Sequence, residues 1–179
     1  MDVKDEQLLL RAVPANFDQL LDVLSYEQLF FLSLDNDHPR SAFKSAWALE
    51  HLLQRSPEPS VLERYSSHVY SAYLRSTNWS VLRSFSKLML LLLSGCDWMV
   101  KNGTDQKVAL LEKTFEVLDD SDCPVALRVN CWDLLYAMTS EFDWLSMELQ
   151  LRIELALEHR PSPALTSRGL RILKKMKLK

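Results

Sequence analysis

The sequence predicts an all-α protein of about four helix pairs, and three observations carry that reading. First, only three glycines, Gly95, Gly103 and Gly169, occur in 179 residues. They lie far apart, which excludes the G-x-G-x-x-G and P-loop cradles, whose backbones need glycine to approach phosphate closely. A single Asn102-Gly103 pair is the one tight-turn signal a β-hairpin fold would use. Second, apolar residues recur at helical spacing nearly everywhere. Third, helix starts repeat at intervals of 39, 45 and 40 residues.

The elements follow in chain order. A short helix is predicted near 4–12 and one or two helices across 16–34, where Phe17, Leu20, Leu21 and Leu24 recur at i, i+3, i+4 and i+7. Ala42, Ala46, Leu49, Leu52 and Leu53 predict a helix at 40–55, and Val61, Tyr65, His68, Val69, Ala72 and Tyr73 predict another at 60–75. A long helix at 79–100 follows, then 105–119 on Val108, Leu111, Phe115 and Leu118, and finally 124–139, 144–158 and 163–177. Turn and cap residues separate these stripes: Asp37-His-Pro39, Ser56-Pro-Glu-Pro59, Thr77-Asn78, Asn102-Gly-Thr104, Asp119 to Pro124, and His159-Arg-Pro-Ser-Pro163. Proline fits just inside a helix start because its missing N–H has no partner there anyway. No segment reads as a strand, and no linker is long enough to divide the chain. One domain spanning 1–179 is therefore expected, with repeats at about 16–55, 60–100, 105–139 and 144–179.

Three cysteines, Cys96, Cys123 and Cys131, make an odd number without C-x-x-C spacing, as reduced thiols of a cytoplasmic protein would. The first residues are acidic where a secretion signal is basic. The longest apolar run, Leu88 to Leu93, falls far short of the roughly 20 residues a membrane span requires. A soluble, cytoplasmic protein is expected.

Four of the helix starts superpose on a basic residue: HPRSAFKSAWALEHLL on Lys44, NWSVLRSFSKLMLLLL on Arg83, CPVALRVNCWDLLYAM on Arg128 and SPALTSRGLRILKKMK on Arg168. Each follows a helix of about 15 residues and a short turn, so the unit is helix A, turn, helix B. The pattern resembles HEAT and armadillo-like α-helical repeats, over roughly 16–177. The Asp122-Cys-Pro-Val-Ala-Leu-Arg128 segment matches the family's spacing of acid to arginine best; Thr77 to Arg83 and Ser162 to Arg168 keep the spacing without the acid. The resemblance implies a right-handed α-α superhelix, a HEAT-like solenoid, in which neighbouring pairs share a continuous core. Trp47, Leu88, Trp132, Leu135 and Leu173 are expected in that core, with Leu111, Phe115 and Leu151 across from them. It also implies that the aligned basic residues hold acidic side chains or carbonyls between repeats, and that the B helices line the concave surface.

Catalytic patterns are thin. His38, His51, His68 and His159 are scattered, without H-E-x-x-H or other metal spacing. Asp119, Asp120 and Asp122 lack the glycine and distal glutamate of a calcium loop and read as a turn. Cys131 beside Trp132 and Asp133 forms no dyad, since adjacent helical residues point apart. It reads as a buried thiol. No enzyme, metal or cofactor is expected.

Charge carries the functional expectation. Residues 159–179 hold seven Lys/Arg and no acid, leaving a balance of −10 for 1–158. The B helices hold 12 Lys/Arg against Glu50 and Asp133, whereas acids gather on the A helices. With the resemblance, this implies a basic concave face formed by Arg40, Lys44, Arg83, Lys87, Arg128, Arg168, Arg171, Lys174 and Lys175. Such a face suits a partner protein or acidic peptide. The expected function is therefore a non-catalytic interaction scaffold. The alternative is nucleic-acid binding of the kind the HEAT-like DNA alkylation-repair glycosylases perform, with Asp133 and Trp132 as the one Asp–aromatic pairing on a B helix. In a third reading Leu170, Leu173 and Met176 attach the last helix to a membrane surface rather than docking it on 144–158.

Overall fold

The computed structural model describes residues 3–58, 60–158 and 161–178. Pro59, His159, Arg160 and Lys179, read above as turn or basic-tail residues, lie outside them. Among the described residues there are helices and turns and no strand. The fold is all-α, as expected. The chain divides into two compact units, 1–92 and 93–179, each holding two helix pairs.

In the first unit α1 (Val3–Arg11), a 3-10 helix (Pro14–Asp22) and α2 (Tyr26–Ser33) all pack on α3 (Pro39–Arg55). Ala42, Ala46 and Ala48 on α3 are buried, and their small side chains let the neighbouring helices approach closely. α2 starts on a capping box, in which Ser25 and Gln28 satisfy each other's backbone N–H at 3.2 and 2.8 Å. α4 (Ser60–Arg64), α5 (Ser66–Arg75) and α6 (Trp79–Gly95) follow. An aromatic cluster joins the two pairs of this unit: Phe30 of α2 lies 5.3 Å from His68, 5.8 Å from Tyr65 and 5.9 Å from Phe85 of α6.

The second unit holds α7 (Trp98–Lys101), α8 (Thr104–Asp119), α9 (Val125–Met138), α10 (Leu145–Glu158) and α11 (Pro163–Met176). α9 packs on α8, α10 and α11, and α10 packs on α11. Trp132, Leu134, Leu135 and Met138 of α9 are buried with Leu145, Leu149 and Ile153 of α10 and Ile172 of α11. Ser162 caps α11, its hydroxyl accepting from the Leu165 N–H at 3.4 Å.

Several expectations need correction. The segment after Pro14 winds as a 3-10 helix, so Phe17 and Leu20, three apart, share the buried face and Leu21 is exposed. The 60–75 helix breaks at Tyr65, whose ring joins the Phe30 cluster and whose hydroxyl donates to Glu27 at 2.8 Å. The 79–100 helix ends at Gly95, and Asp97 precedes a separate short turn. Leu151 faces solvent instead of the core, because Leu145, Leu149 and Ile153 supply the buried side of α10. Trp47, Phe115 and Leu173 are partly buried, while Leu88, Leu111, Trp132 and Leu135 are buried as expected. α11 docks through Gly169 and Ile172, and Leu170 points outward.

Gly169 has a steric explanation. A Cβ there would stand 2.9 Å from Ile153 Cγ2, 3.4 Å from Trp132 Cζ3 and 3.5 Å from Leu157 Cδ1. The branched Ile153 methyl sits close to its own backbone and has little room to move. Gly169→Ala gains about 1 kcal/mol of helix propensity against about 1–3 kcal/mol of overpacking. A net loss near 1 kcal/mol is expected in urea denaturation. Combining it with Ile153→Ala, which empties the contested space, should cost less than the two single changes added together.

Candidate functional site

The nine cations expected on the B-helix face divide by what they touch. Lys44 Nζ donates to the Ala12 carbonyl at 2.7 Å, at the end of α1, and lies 4.8 Å from the Trp47 ring centroid. Lys87 pairs with Glu50 of α3 at 2.5 Å, and the Glu50 side chain is only 8% exposed. Arg128 Nη2 donates to the Asp120 carbonyl at 3.3 Å, closing the end of α8. Arg168 pairs with Asp133 of α9, and Arg171 stands 3.8 Å from the other oxygen of the same carboxylate. Arg40 and Arg83 are exposed, as are Lys174 and Lys175. The Lys175 ammonium lies 5.8 Å from the Tyr136 ring centroid.

The two acids of the B helices are thus the inter-helix links. Glu50 on α3 reaches Lys87 on α6, and Asp133 on α9 reaches Arg168 on α11, at sequence separations of 37 and 35 residues. Of the aligned residues, Lys44 and Arg128 meet backbone carbonyls and Arg168 meets Asp133; in the second repeat Lys87, one turn beyond Arg83, links α6 to Glu50 of α3. This inter-helix use of Lys87 and Glu50 was not legible in the alignment, although the 37-residue spacing was its signal.

Burial raises the Asp133 carboxyl above its ordinary value, and the positive charges of Arg168, Arg171 and Lys175 oppose that rise. Trp132 is buried and meets the space over Gly169, so its ring is not presented to a ligand. The Asp133–Trp132 pairing therefore lacks the open face that base stacking needs. Cys131 is fully buried, and burial raises the Cys123 thiol above its ordinary value. Among the described residues no group of three or more His, Cys, Asp or Glu is placed to hold a metal ion.

A groove of about 750 Å³ lies in the first unit between α2, the turn after it and α5. Phe30, Phe31, Leu34 and Ala72 supply its apolar lining, and Glu27, Asp35, Asp37, His68 and Arg75 its polar edge. Asp35 anchors the turn: Oδ1 accepts the backbone N–H groups of Asp37 and His38 at 3.0 and 3.2 Å, and Oδ2 lies 2.9 Å from His38 Nδ1. The His38 ring, then the two backbone donors, hold the Asp35 carboxyl below its usual range. Glu27 is held low by its own backbone N–H and then by the Tyr65 hydroxyl. Both carboxylates stay charged under mildly acidic conditions, which gives the groove a negative edge. Nothing in the sequence pattern marked it, because α2 and α5 are brought together only by tertiary packing.

Arg168 offers a pH test with a defined sign. A carboxyl whose folded pKa is raised contributes stability below its unfolded pKa and loses it as pH rises through the folded value. Removing the guanidinium in Arg168→Gln raises the Asp133 value further. The variant should be about 2 kcal/mol less stable than the parent near pH 7, with the deficit shrinking toward pH 4. Urea denaturation at both pH values measures it.

Comparison with curated proteins and with solved structures returns no match. Among the described residues no helix is long and apolar enough to cross a membrane. The family model described as a HEAT repeat domain matches residues 16–176, which takes in all four helix pairs with their B-to-B ion pairs. The chain belongs to the HEAT repeat domain family.

Proposed function

We propose that this chain is a non-catalytic protein-interaction scaffold and that its B helices hold an acidic peptide of a partner protein. The observation that supports this reading most is the solvent-facing cationic turn of α11. Arg171 is 54% exposed along its side chain, and Lys174 and Lys175 follow three and four residues on, which places all three on one helix surface. Carbonyls at a helix C-terminus favour cations, but a cluster of this size also concentrates acidic ligands of opposite sign. Lys44, Lys87, Arg128 and Arg168 contribute to the scaffold's rigidity in this reading, since each is tied to a backbone carbonyl or a carboxylate.

A labelled glutamate-rich peptide titrated with the full chain at low salt tests this. Binding that weakens as salt rises, and that falls at least tenfold in the folded Arg171→Glu/Lys174→Glu/Lys175→Glu variant, is expected. Unchanged binding in that variant, or none in the parent, overturns the reading. Tighter, steeply salt-dependent binding to duplex DNA turns it toward nucleic acid.

A further inference from the structure

α10 carries two apolar faces where a helix of this fold needs one. Leu145, Leu149 and Ile153 are buried toward α9 and α11. On the other side Trp144, Met147, Leu151 and Leu155 are 54%, 79%, 52% and 49% exposed. Their spacing of three and four residues puts them on one stripe roughly 17 Å long. Trp144 is held in place by stacking on Phe115 of α8 at 6.1 Å. A contiguous apolar stripe of this kind, bordered by polar groups, is the signature of a contact surface rather than of scattered surface leucines.

The border is acidic. Residues 104–119 and 141–158 hold nine Asp/Glu against three Lys/Arg. All three cations are already engaged: Lys107 with Glu141, Lys113 with Glu116, and Arg152 with Asp119 and Glu148. The excess charge that α8 and α10 place along the stripe is therefore negative, with Glu154 and Glu158 exposed on α10 itself and Lys177 of α11 standing at the Met147 end.

We propose that this stripe docks an amphipathic helix of a partner protein, one whose apolar ridge is flanked by lysine or arginine. Charge complementarity selects that occupant. A second copy laid face to face would bring acidic border against acidic border, with Glu154 and Glu158 near Glu141 and Asp143 of the other copy in an antiparallel pairing, and an anionic membrane surface would meet the same repulsion. A cationic helix of about three turns matches the stripe's length and places its charges against the carboxylates. The stripe reaches α11 at its Met147 end, where Met147 lines a cleft with Met176 and Lys177; Arg171, Lys174 and Lys175 are not among the residues of that cleft.

The test uses the full chain and two labelled helical peptides with leucine at matching positions, one flanked by lysines and the other by glutamates. Anisotropy should show the lysine peptide binding at least tenfold tighter, with affinity falling as salt rises. Leu151→Asp and Met147→Asp should each weaken it at least tenfold without shifting the melting temperature, since both side chains are exposed. Glu154→Lys/Glu158→Lys, which cuts the acidic excess of the border by two thirds, should shrink the preference for the lysine peptide at least threefold. The α11 triple variant should leave lysine-peptide binding unchanged, so failure here and failure of the acidic-peptide reading are separable. Equal binding of both peptides, no binding, or binding that survives Leu151→Asp overturns the proposal. So does a dimer in sedimentation that Leu151→Asp dissociates, or flotation with phosphatidylserine vesicles that the same variant abolishes.

Discussion

The second unit depends on how closely α11 can lie against α10 and α9. That distance is set at Gly169, where the Ile153 methyl and the Trp132 ring occupy the space a side chain would need. An internal helical glycine costs about 1 kcal/mol relative to alanine. Here the loss is offset by letting Trp132 and Ile153 stay fully buried while Ile172, one turn on, fills the remaining seam. With the helix axis fixed, Arg168 on the preceding residue is delivered to Asp133. Packing and ion pairing are therefore one constraint: a larger residue at 169 would move the guanidinium as well as the helix.

The same economy appears in the first unit with different chemistry. α3 presents alanines instead of accepting a glycine, and its Glu50 receives Lys87 from α6 as Asp133 receives Arg168 from α11. A buried or half-buried carboxylate is costly unless a cation meets it, so each link fixes which residues of two B helices stand opposite one another. Helix pairs held only by leucine could slide along one another with little loss. The polar links specify register, and they use cations that a simple count assigns to ligand binding.

The four helix pairs and most boundaries were legible because apolar period and cap residues are local properties, read correctly from stripes such as Val108 to Leu118 and from caps such as Ser162. The failures share a cause. Phe17, Leu20 and Leu21 satisfy both an α and a 3-10 pattern, and the choice is made by tertiary packing, which buries only the first two. Tyr65 continues an α stripe on paper, yet its ring is claimed by Phe30 and Tyr26 across the unit. Charge sign was legible too, whereas charge pairing was not. Lys44, Lys87, Arg128 and Arg168 look alike in composition, and only the fold shows that two meet carbonyls and two meet carboxylates. The groove between α2 and α5 escaped notice for the same reason, being made of residues some 40 positions apart.

Leu151 shows where such an error becomes informative. Periodicity places it in the core because the rows 145, 149, 153 and 144, 147, 151, 155 both repeat at helical spacing, and sequence alone cannot rank them. The structure buries the first row and leaves the second in solvent. A side chain as exposed as Met147 contributes little to folding, and a polar residue there would alter stability by only about 0.5 kcal/mol. Apolar identity at Met147 is therefore not required by the unit's own packing. The row is accompanied by carboxylates of α8 and α10, and the cations of those two helices are all committed to ion pairs, which keeps the row soluble and discourages self-pairing. An apolar row half open to solvent, and bordered mainly by one sign of charge, has the physical character of half an interface. Its missing half must carry the opposite sign.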